Sequence, residues 1–283
     1  MNVRMQHTGE ILPAIRIKKR IWLTCAVLGF AFAISSVCCA VDIDTGIKAY
    51  SKDQKSVRSP ARDFEAGIEA YGRGDYAAAY GLFLKEAQKG NASAQYKVGF
   101  MYSAGRGVAK NDAEAFKWYK LSAEKGLSAA QYNLAIMYEE GRGTAQDQET
   151  AVKWYRAAAE KGLAAAQYNL GAMYGNGIGV EQDDEVAFRW FKLAAAQGLA
   201  PAQYNLGLMY ANGVGVEQDD REAMKWFQLA AAQNDIKAKC GLAMMYATGP
   251  LKDVVKARQL AKEGYEAGEE ICKLVWTKNH LGD

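Results

Sequence analysis

The sequence predicts an all-α solenoid, and three observations support that prediction. From residue 94 a 36-residue unit recurs and brings the same residue types back to the same positions. Its most regular marker is a tryptophan, which stands at Trp118, Trp154, Trp190 and Trp226. Within each unit, two stretches with the apolar spacing of helices flank a pair of glycines. A repeat of this length is one helical hairpin, which buries its apolar face only by stacking on its neighbours.

The first 40 residues have the pattern of a signal peptide or a signal anchor. Four basic residues between positions 16 and 20 precede an uncharged stretch, 21–41, in which small residues lead up to Ala40. This order is typical of an export signal that is cleaved, here after Ala40. The uncharged stretch also reaches the roughly 20 residues that span a bilayer, so an uncleaved anchor is the alternative. Both predict repeats on the exported side, either periplasmic or secreted, or anchored to the membrane.

The rest of the chain divides into a linker and a series of helical units. Residues 41–60 are polar and read as the linker, and residues 61–93 form a shorter unit that suits an N-terminal cap. The pattern decays towards the other end, where 238–266 is a degenerate repeat without its tryptophan and 267–283 is a capping helix with a short tail. The full units between them are 94–129, 130–165, 166–201 and 202–237.

Each element of a full unit follows from its residues. Leu170, Met173 and Tyr174 lie three and four positions apart, which makes one apolar stripe on a first helix. The glycine pair then ends that helix and permits positive φ in a tight connection. Asp183 suits the start of the second helix, because its carboxylate can accept from the unpaired backbone N–H groups there. A glycine ends the second helix of the first three full units, and Asn234 takes that position in the fourth. The tryptophans are expected to pack as core rather than to stack on a ligand.

Charge and histidine content exclude several classes of function. Of the formal net charge of +3, residues 1–40 contribute five basic and one acidic side chain, so the remainder is close to neutral. A neutral array has no electrostatic attraction for nucleic acid or for an anionic membrane surface. The two histidines, His7 and His280, lie outside the repeats, which excludes a histidine-based catalytic triad or zinc site within them. The sequence therefore predicts no enzyme, no cofactor and no metal.

The repeating unit, AQYNLGxMYxxGxGVxxDxxxAxxWFxxAAxxG, closely resembles the Sel-1-like repeat, a relative of the tetratricopeptide repeat with a longer, glycine-rich connection. The resemblance is strong from 94 to about 249 and weak over 61–93 and 250–277. It implies a right-handed α/α superhelix that acts as a protein-binding scaffold, often exported or membrane-associated. A cysteine-rich secreted subgroup of this family carries a disulfide in every repeat, and the present chain departs from that pattern.

The alternative function is hydrolysis of cell-wall or β-lactam substrates, by an enzyme of the cysteine-rich Sel-1-like type. Ser122 and Lys125 have the S-x-x-K spacing of penicillin-recognising enzymes. Neither of the accompanying motifs, K-T-G and S-D-N, is present. The favoured function is therefore an exported scaffold that binds a protein or peptide on its concave face, with no contact to a membrane except through an uncleaved anchor.

The candidate partner-binding residues lie on the first helices. If the Leu, Met and second Tyr of each unit pack inward, residues about 100° away face the inner wall of the superhelix. Repetition would line that wall with a tyrosine ladder and an asparagine ladder. In tetratricopeptide grooves, asparagines of the first helix hold the backbone of an extended peptide, and the alternative is that asparagine fixes the stacking of adjacent repeats. The candidates are Tyr96, Tyr132, Asn133, Tyr168, Asn169, Asn176, Tyr204, Asn205 and Asn212.

Two cysteines remain outside the export segment, Cys240 and Cys272. Two cysteines in an exported protein suggest one disulfide, and both are expected on neighbouring helices at the C-terminal end. The geometry is demanding, because the Cα atoms must approach within about 7 Å while packed helix axes lie about 8–10 Å apart.

Overall fold

The computed structural model describes residues 62–249 and 252–279 of the chain. The expected signal segment and linker lie outside these residues, as do His280 and the end of the tail. Within the described residues there are thirteen α-helices and no strand, and none of these helices combines the length and apolar character needed to cross a bilayer.

Twelve of the described helices form six hairpins, here called repeats 1 to 6. Each repeat consists of a first and a second helix joined by a short connection. The pairs are α1 (Arg62–Gly72) with α2 (Tyr76–Gln88), α3 (Ala92–Ala104) with α4 (Asp112–Glu124), α5 (Ser128–Glu140) with α6 (Gln148–Glu160), α7 (Ala164–Asn176) with α8 (Asp184–Ala196), α9 (Ala200–Asn212) with α10 (Asp220–Ala232), and α11 (Ile236–Thr248) with α12 (Val254–Glu266). The last helix, α13 (Glu270–Lys278), packs against both α11 and α12.

The helices stack in the order in which they occur along the chain, as in a solenoid. Each helix packs against the one before it and the one after it. The first helices are buried on most of their faces, whereas each second helix keeps a wide exposed face. The first helices α9 and α11 also contact each other across the second helix that separates them in sequence. We conclude that the first helices line the inner side of the array and the second helices its outer side.

The second helices of repeats 2 to 5 start at the residues expected from the sequence. Each starting residue has an extended backbone, and its side-chain oxygen accepts from one or two backbone N–H groups of the first turn. These residues are Asn111, Asp147, Asp183 and Asp219. The ends of these helices agree as well, since Asn234 adopts a φ of 64° where the preceding repeats have glycine.

The first helices of repeats 3 to 5 begin differently, with a leucine whose side chain makes no cap. A glutamine one turn into the helix supplies a different connection. In each case its Nε2 donates to a backbone carbonyl near the end of the preceding second helix, at 3.1–3.2 Å, and the same bond joins repeat 2 to repeat 1. The glutamines are Gln95, Gln131, Gln167 and Gln203, all buried. A buried side chain that bonds to the neighbouring backbone sets the register between repeats.

In the second helices of repeats 2 to 5, the fully buried aromatic residue is the one that follows the tryptophan. Tyr119, Tyr155, Phe191 and Phe227 are 0–3% exposed and lie inside the core clusters. The tryptophans are only partly buried and pack at the edges of these clusters. Trp190, for example, packs on the cluster built mainly from repeat 3 and the first helix of repeat 4. The tryptophans therefore seal the seams between repeats, while the next residue fills the centre of each hairpin.

A disulfide between Cys240 on α11 and Cys272 on α13 closes the C-terminal end, with Cα atoms 4.9 Å apart. This approach depends on Gly264 of α12. A Cβ at Gly264 would lie 2.1 Å from the Cys272 Sγ and 2.9 Å from the Cys240 Sγ. The absence of a side chain at that position is what allows the two helices to come within bonding distance.

We expect Cys272→Ser to destabilise the C-terminal end by about 2–4 kcal/mol, because the unfolded variant, without the crosslink, regains the entropy of the open loop. Hydrogen exchange of α11 to α13 in the oxidised protein and in the variant measures the effect. The amides of α5 to α8 serve as the internal control, since contacts in a solenoid are local. Equal protection of α13 in both proteins would contradict the prediction, as would two titratable thiols in the unreduced protein.

Candidate partner-binding site

The structure corrects the expected position of the tyrosine ladder. Tyr96, Tyr132 and Tyr168 are 0–2% exposed, so they are core residues and do not line an open groove. Each ring packs against the buried aromatic ring of the second helix in the same repeat, with centroids 5.6–5.7 Å apart. A small residue one turn further along the first helix makes room for that aromatic: a Cβ at Gly171 would lie 3.1 Å from the ring of Phe191. Only Tyr204 is partly exposed.

The asparagine ladder lies where consecutive repeats meet. Asn133 interacts with the hydroxyl of Tyr119 and Asn205 with that of Tyr168, both in the preceding repeat. Burial raises the pKa of Tyr168 to about 12, and the interaction with Asn205 opposes that rise. Asn169 approaches the Tyr155 hydroxyl of the preceding repeat in the same way. Asn133 and Asn205 are partly exposed, whereas Asn169 is 2% exposed. The ladder thus takes part in stacking at all three positions and reaches solvent at two of them.

Asn176 and Asn212 occupy the last turns of α7 and α9. Their Nδ2 atoms donate to the backbone carbonyls of Ala172 and Leu208, at 2.8 Å in both cases. Asn212 is exposed and Asn176 is partly exposed. The amide oxygen of each has no hydrogen-bond partner among the described residues, so it can accept from a bound chain.

The apolar residues at one inner-wall position differ in exposure from repeat to repeat. Ile136 and Ala172 are buried, whereas Phe100 of α3, Leu208 of α9 and Met244 of α11 are partly exposed. Leu208 packs in one cluster with Tyr204. Asn212 lies one turn after Leu208 on α9, and Met244 lies on α11, which contacts α9. We call the uncharged residues Tyr204, Asn205, Leu208, Asn212 and Met244 the C-terminal patch.

A second feature of the inner wall was missed at the sequence level. In repeat 3 the hydroxyl of Tyr155 donates to Glu139 Oε2, at 2.5 Å. Burial is the main cause that raises the pKa of this carboxyl, and the hydrogen bond from Tyr155 opposes it. Burial also holds the pKa of Tyr155 well above its ordinary value. Glu139 differs from the residues at the same position of the other repeats, but the sequence did not indicate its partner. Tyr155 lies on a different helix, so only the packing of the two helices brings the pair together.

The residues of the S-x-x-K spacing hold repeats together. Ser122 is fully buried, and its hydroxyl donates to the backbone carbonyl of Ala92 at 2.7 Å. The ammonium of Lys125 donates to the backbone carbonyl of Gly90. The two side chains thus bond to separate backbone groups, and the serine has no access to substrate. Among the described residues there is also no group of three or more His, Cys, Asp or Glu side chains that could hold a metal.

Comparison with protein families identifies the repeat. The model of the Sel1 repeat matches five consecutive segments, at 92–127, 128–163, 164–199, 200–235 and 236–269. These segments cover more than half of the chain and coincide with repeats 2 to 6. The chain belongs to the Sel1 repeat family. Proteins built from Sel1 repeats are generally interaction scaffolds without catalytic activity.

Solved structures of Sel1 repeat proteins share this fold. A Sel1 repeat protein from Oxalobacter formigenes is 32% identical with a TM-score of 0.71, over 79% of this chain and 92% of its own. A protective antigen present in uropathogenic Escherichia coli strains is 33% identical with a TM-score of 0.69, over 73% of this chain and 46% of its own. Among curated proteins, an exopolysaccharide production negative regulator from Rhizobium leguminosarum bv. viciae is 33% identical over 92 residues, about a third of either chain.

Proposed function

We propose that this Sel1 repeat protein is an exported scaffold that binds an extended segment of another protein along the inner wall of its array. The observation that carries the proposal is the C-terminal patch. Elsewhere the described first helices present mostly buried side chains, but this patch combines partly exposed apolar residues with asparagine amides. Such a surface can bury apolar side chains and at the same time pair with the polar backbone of an extended chain.

The proposed location rests on the N-terminal segment, whose basic, apolar and small residues have the order of an export signal. A disulfide at the C-terminal end is in keeping with an oxidising compartment. A regulatory role agrees with the name of the Rhizobium leguminosarum relative, a negative regulator of exopolysaccharide production, whose match covers about a third of its length.

The first step of the test is to identify a partner. The exported protein is used as bait on the exported fraction of its host, and retained proteins are identified by mass spectrometry. Affinity for the partner, or for a peptide from it, is then measured by calorimetry. The mass of the exported protein also shows whether residues 1–40 have been removed.

We expect the double variant Asn205→Ala, Asn212→Ala to weaken partner binding by about 5- to 150-fold, the equivalent of about 1–3 kcal/mol, because ligand groups lose their hydrogen-bond partners. The matched control is Lys192→Glu with Lys225→Glu, which reverses two exposed charges on the outer helices α8 and α10. Those changes should leave affinity unchanged. An affinity loss in the lysine variant with none in the asparagine variant would place the binding surface on the outer side and contradict the proposal.

A further inference from the structure

Glu139 stands apart from the residues at the same position in other repeats. It lies in the last turn of α5, on the inner side of the array, and its counterparts are Ser103, Gly175, Ala211 and Ala247. It is therefore the only carboxylate among the five first helices α3, α5, α7, α9 and α11 at this position. The residue is partly buried, and among the described residues its carboxylate accepts one hydrogen bond, from the neutral hydroxyl of Tyr155.

The charge of Glu139 is not balanced within the described part of the chain. No lysine or arginine there forms an ion pair with it, and the groups that act on its carboxyl are Tyr155 and the like-charged Glu140. The neighbouring charge is balanced, since Glu140 pairs with Arg142 at 2.7 Å. A partly buried carboxylate without a cation is unfavourable, and a counter-ion would offset that cost.

Asn169 supplies an independent observation next to this carboxylate. Its side chain is 98% buried, as its exposed fraction is 2%, and it reaches the Tyr155 hydroxyl from α7. Neither its Nδ2 nor its Oδ1 forms a hydrogen bond of normal geometry within the described residues. Buried amide groups are nearly always paired, so this one has spare capacity for a ligand. We call Glu139, Tyr155 and Asn169 the Glu139 recess.

We infer that the Glu139 recess accepts a lysine or arginine side chain of the bound segment and thereby selects the partner. The inference rests on the proposed function, since it assigns a specificity to the same inner wall. A cationic side chain carries only N–H donors, which suit the Glu139 carboxylate and the carbonyl oxygen of an amide such as Asn169. A segment that follows the inner wall from the C-terminal patch across α7 to α5 brings one of its residues to this recess.

A matched pair of variants separates the recess from its surroundings. Glu139→Gln removes the charge and keeps an acceptor for the Tyr155 hydroxyl, while Glu140→Gln removes the adjacent exposed charge. The full-length exported protein, wild type or variant, is screened against a random linear-peptide display library. Synthetic versions of the selected peptides, with the basic residue present or replaced by Ala, are then titrated into each protein by fluorescence anisotropy.

For the wild type and Glu140→Gln we expect selected peptides to share a Lys or Arg at one fixed position. Glu139→Gln should lower their affinity about tenfold or more, and should do so only when the basic residue is present, which a double-mutant cycle measures. A raised folded-state pKa also means that an ionised Glu139 reduces stability at neutral pH, so Glu139→Gln should raise the melting temperature while weakening binding. A merely structural carboxylate would not combine these two effects.

Three outcomes are distinguishable. Loss of the basic preference in Glu139→Gln supports both the recess and the proposed function. Peptides that bind without a basic preference, but are weakened by Asn205→Ala with Asn212→Ala, refute the recess and leave the proposed function intact. Failure to select any peptide sensitive to either set of inner-wall variants contradicts both.

Discussion

Replacing Gly143 by Ala is expected to destabilise the array by about 2–5 kcal/mol, the sum of a left-handed backbone cost and an overpacking cost. Gly143 lies between α5 and α6 with a φ of +69°, a conformation that residues with a Cβ rarely adopt. A Cβ there would lie 2.2 Å from the carbonyl oxygen of Asp112 and 2.5 Å from its carbon. Asp112 begins the second helix of the preceding repeat, so the collision is with main chain and no rotamer change relieves it. Urea unfolding of the purified protein measures the effect.

Gly141→Ala is the matched control for Gly143→Ala. Gly141 has the same φ of +69°, but the nearest atoms to its Cβ are in Gln146, at 3.3 Å and within the same connection. Its substitution should cost only the left-handed conformation, about 1–2 kcal/mol. Equal destabilisation by the two variants would show that the close approach to the preceding repeat contributes nothing. The second glycines of the other pairs make the same approach to a preceding backbone carbonyl, at Gly107, Gly179 and Gly215.

Phe191→Ala is expected to cost about 3–5 kcal/mol, because a fully buried aromatic is removed from the middle of the array. Its exposed fraction is 1%, its ring lies 5.6 Å from that of Tyr168, and it fills the space beside Gly171. The resulting cavity lies between the two helices of repeat 4 and affects both halves of the solenoid. Thermal and urea unfolding measure the loss, and hydrogen exchange shows whether it spreads from α7 and α8 to the neighbouring repeats.

Trp190→Ala provides the comparison at the adjacent position. The tryptophan is larger, but it is only partly buried at the seam between repeats 3 and 4. Less apolar area returns to water, so the loss should be smaller than for Phe191→Ala. A greater loss for Trp190→Ala would mean that the seams, and not the hairpin interiors, hold most of the stability.

The sequence by itself determined the helices, their ends and the family. A 36-residue period, paired glycines and a polar residue before each second helix are local signals, and each acts through the backbone within a few residues of itself. The carboxylate of Asp183 caps the start of α8, and Asn234 is a residue type that tolerates positive φ, so both effects depend on the residue itself. The match of five Sel1 repeats depends on the same local pattern.

Only the tertiary structure decided which neighbour each side of a first helix meets. These helices are enclosed by their own second helix and by the preceding second helix, so apolar periodicity no longer distinguishes a groove from a core. Tyr168 faces Phe191 for this reason, although the 3.6-residue period also allowed the inner wall. The Glu139 recess joins three helices, and the Cys240–Cys272 bond depends on a missing side chain at Gly264. Both arise from contacts between helices, whose distances are set by packing across the array and not by spacing along the chain.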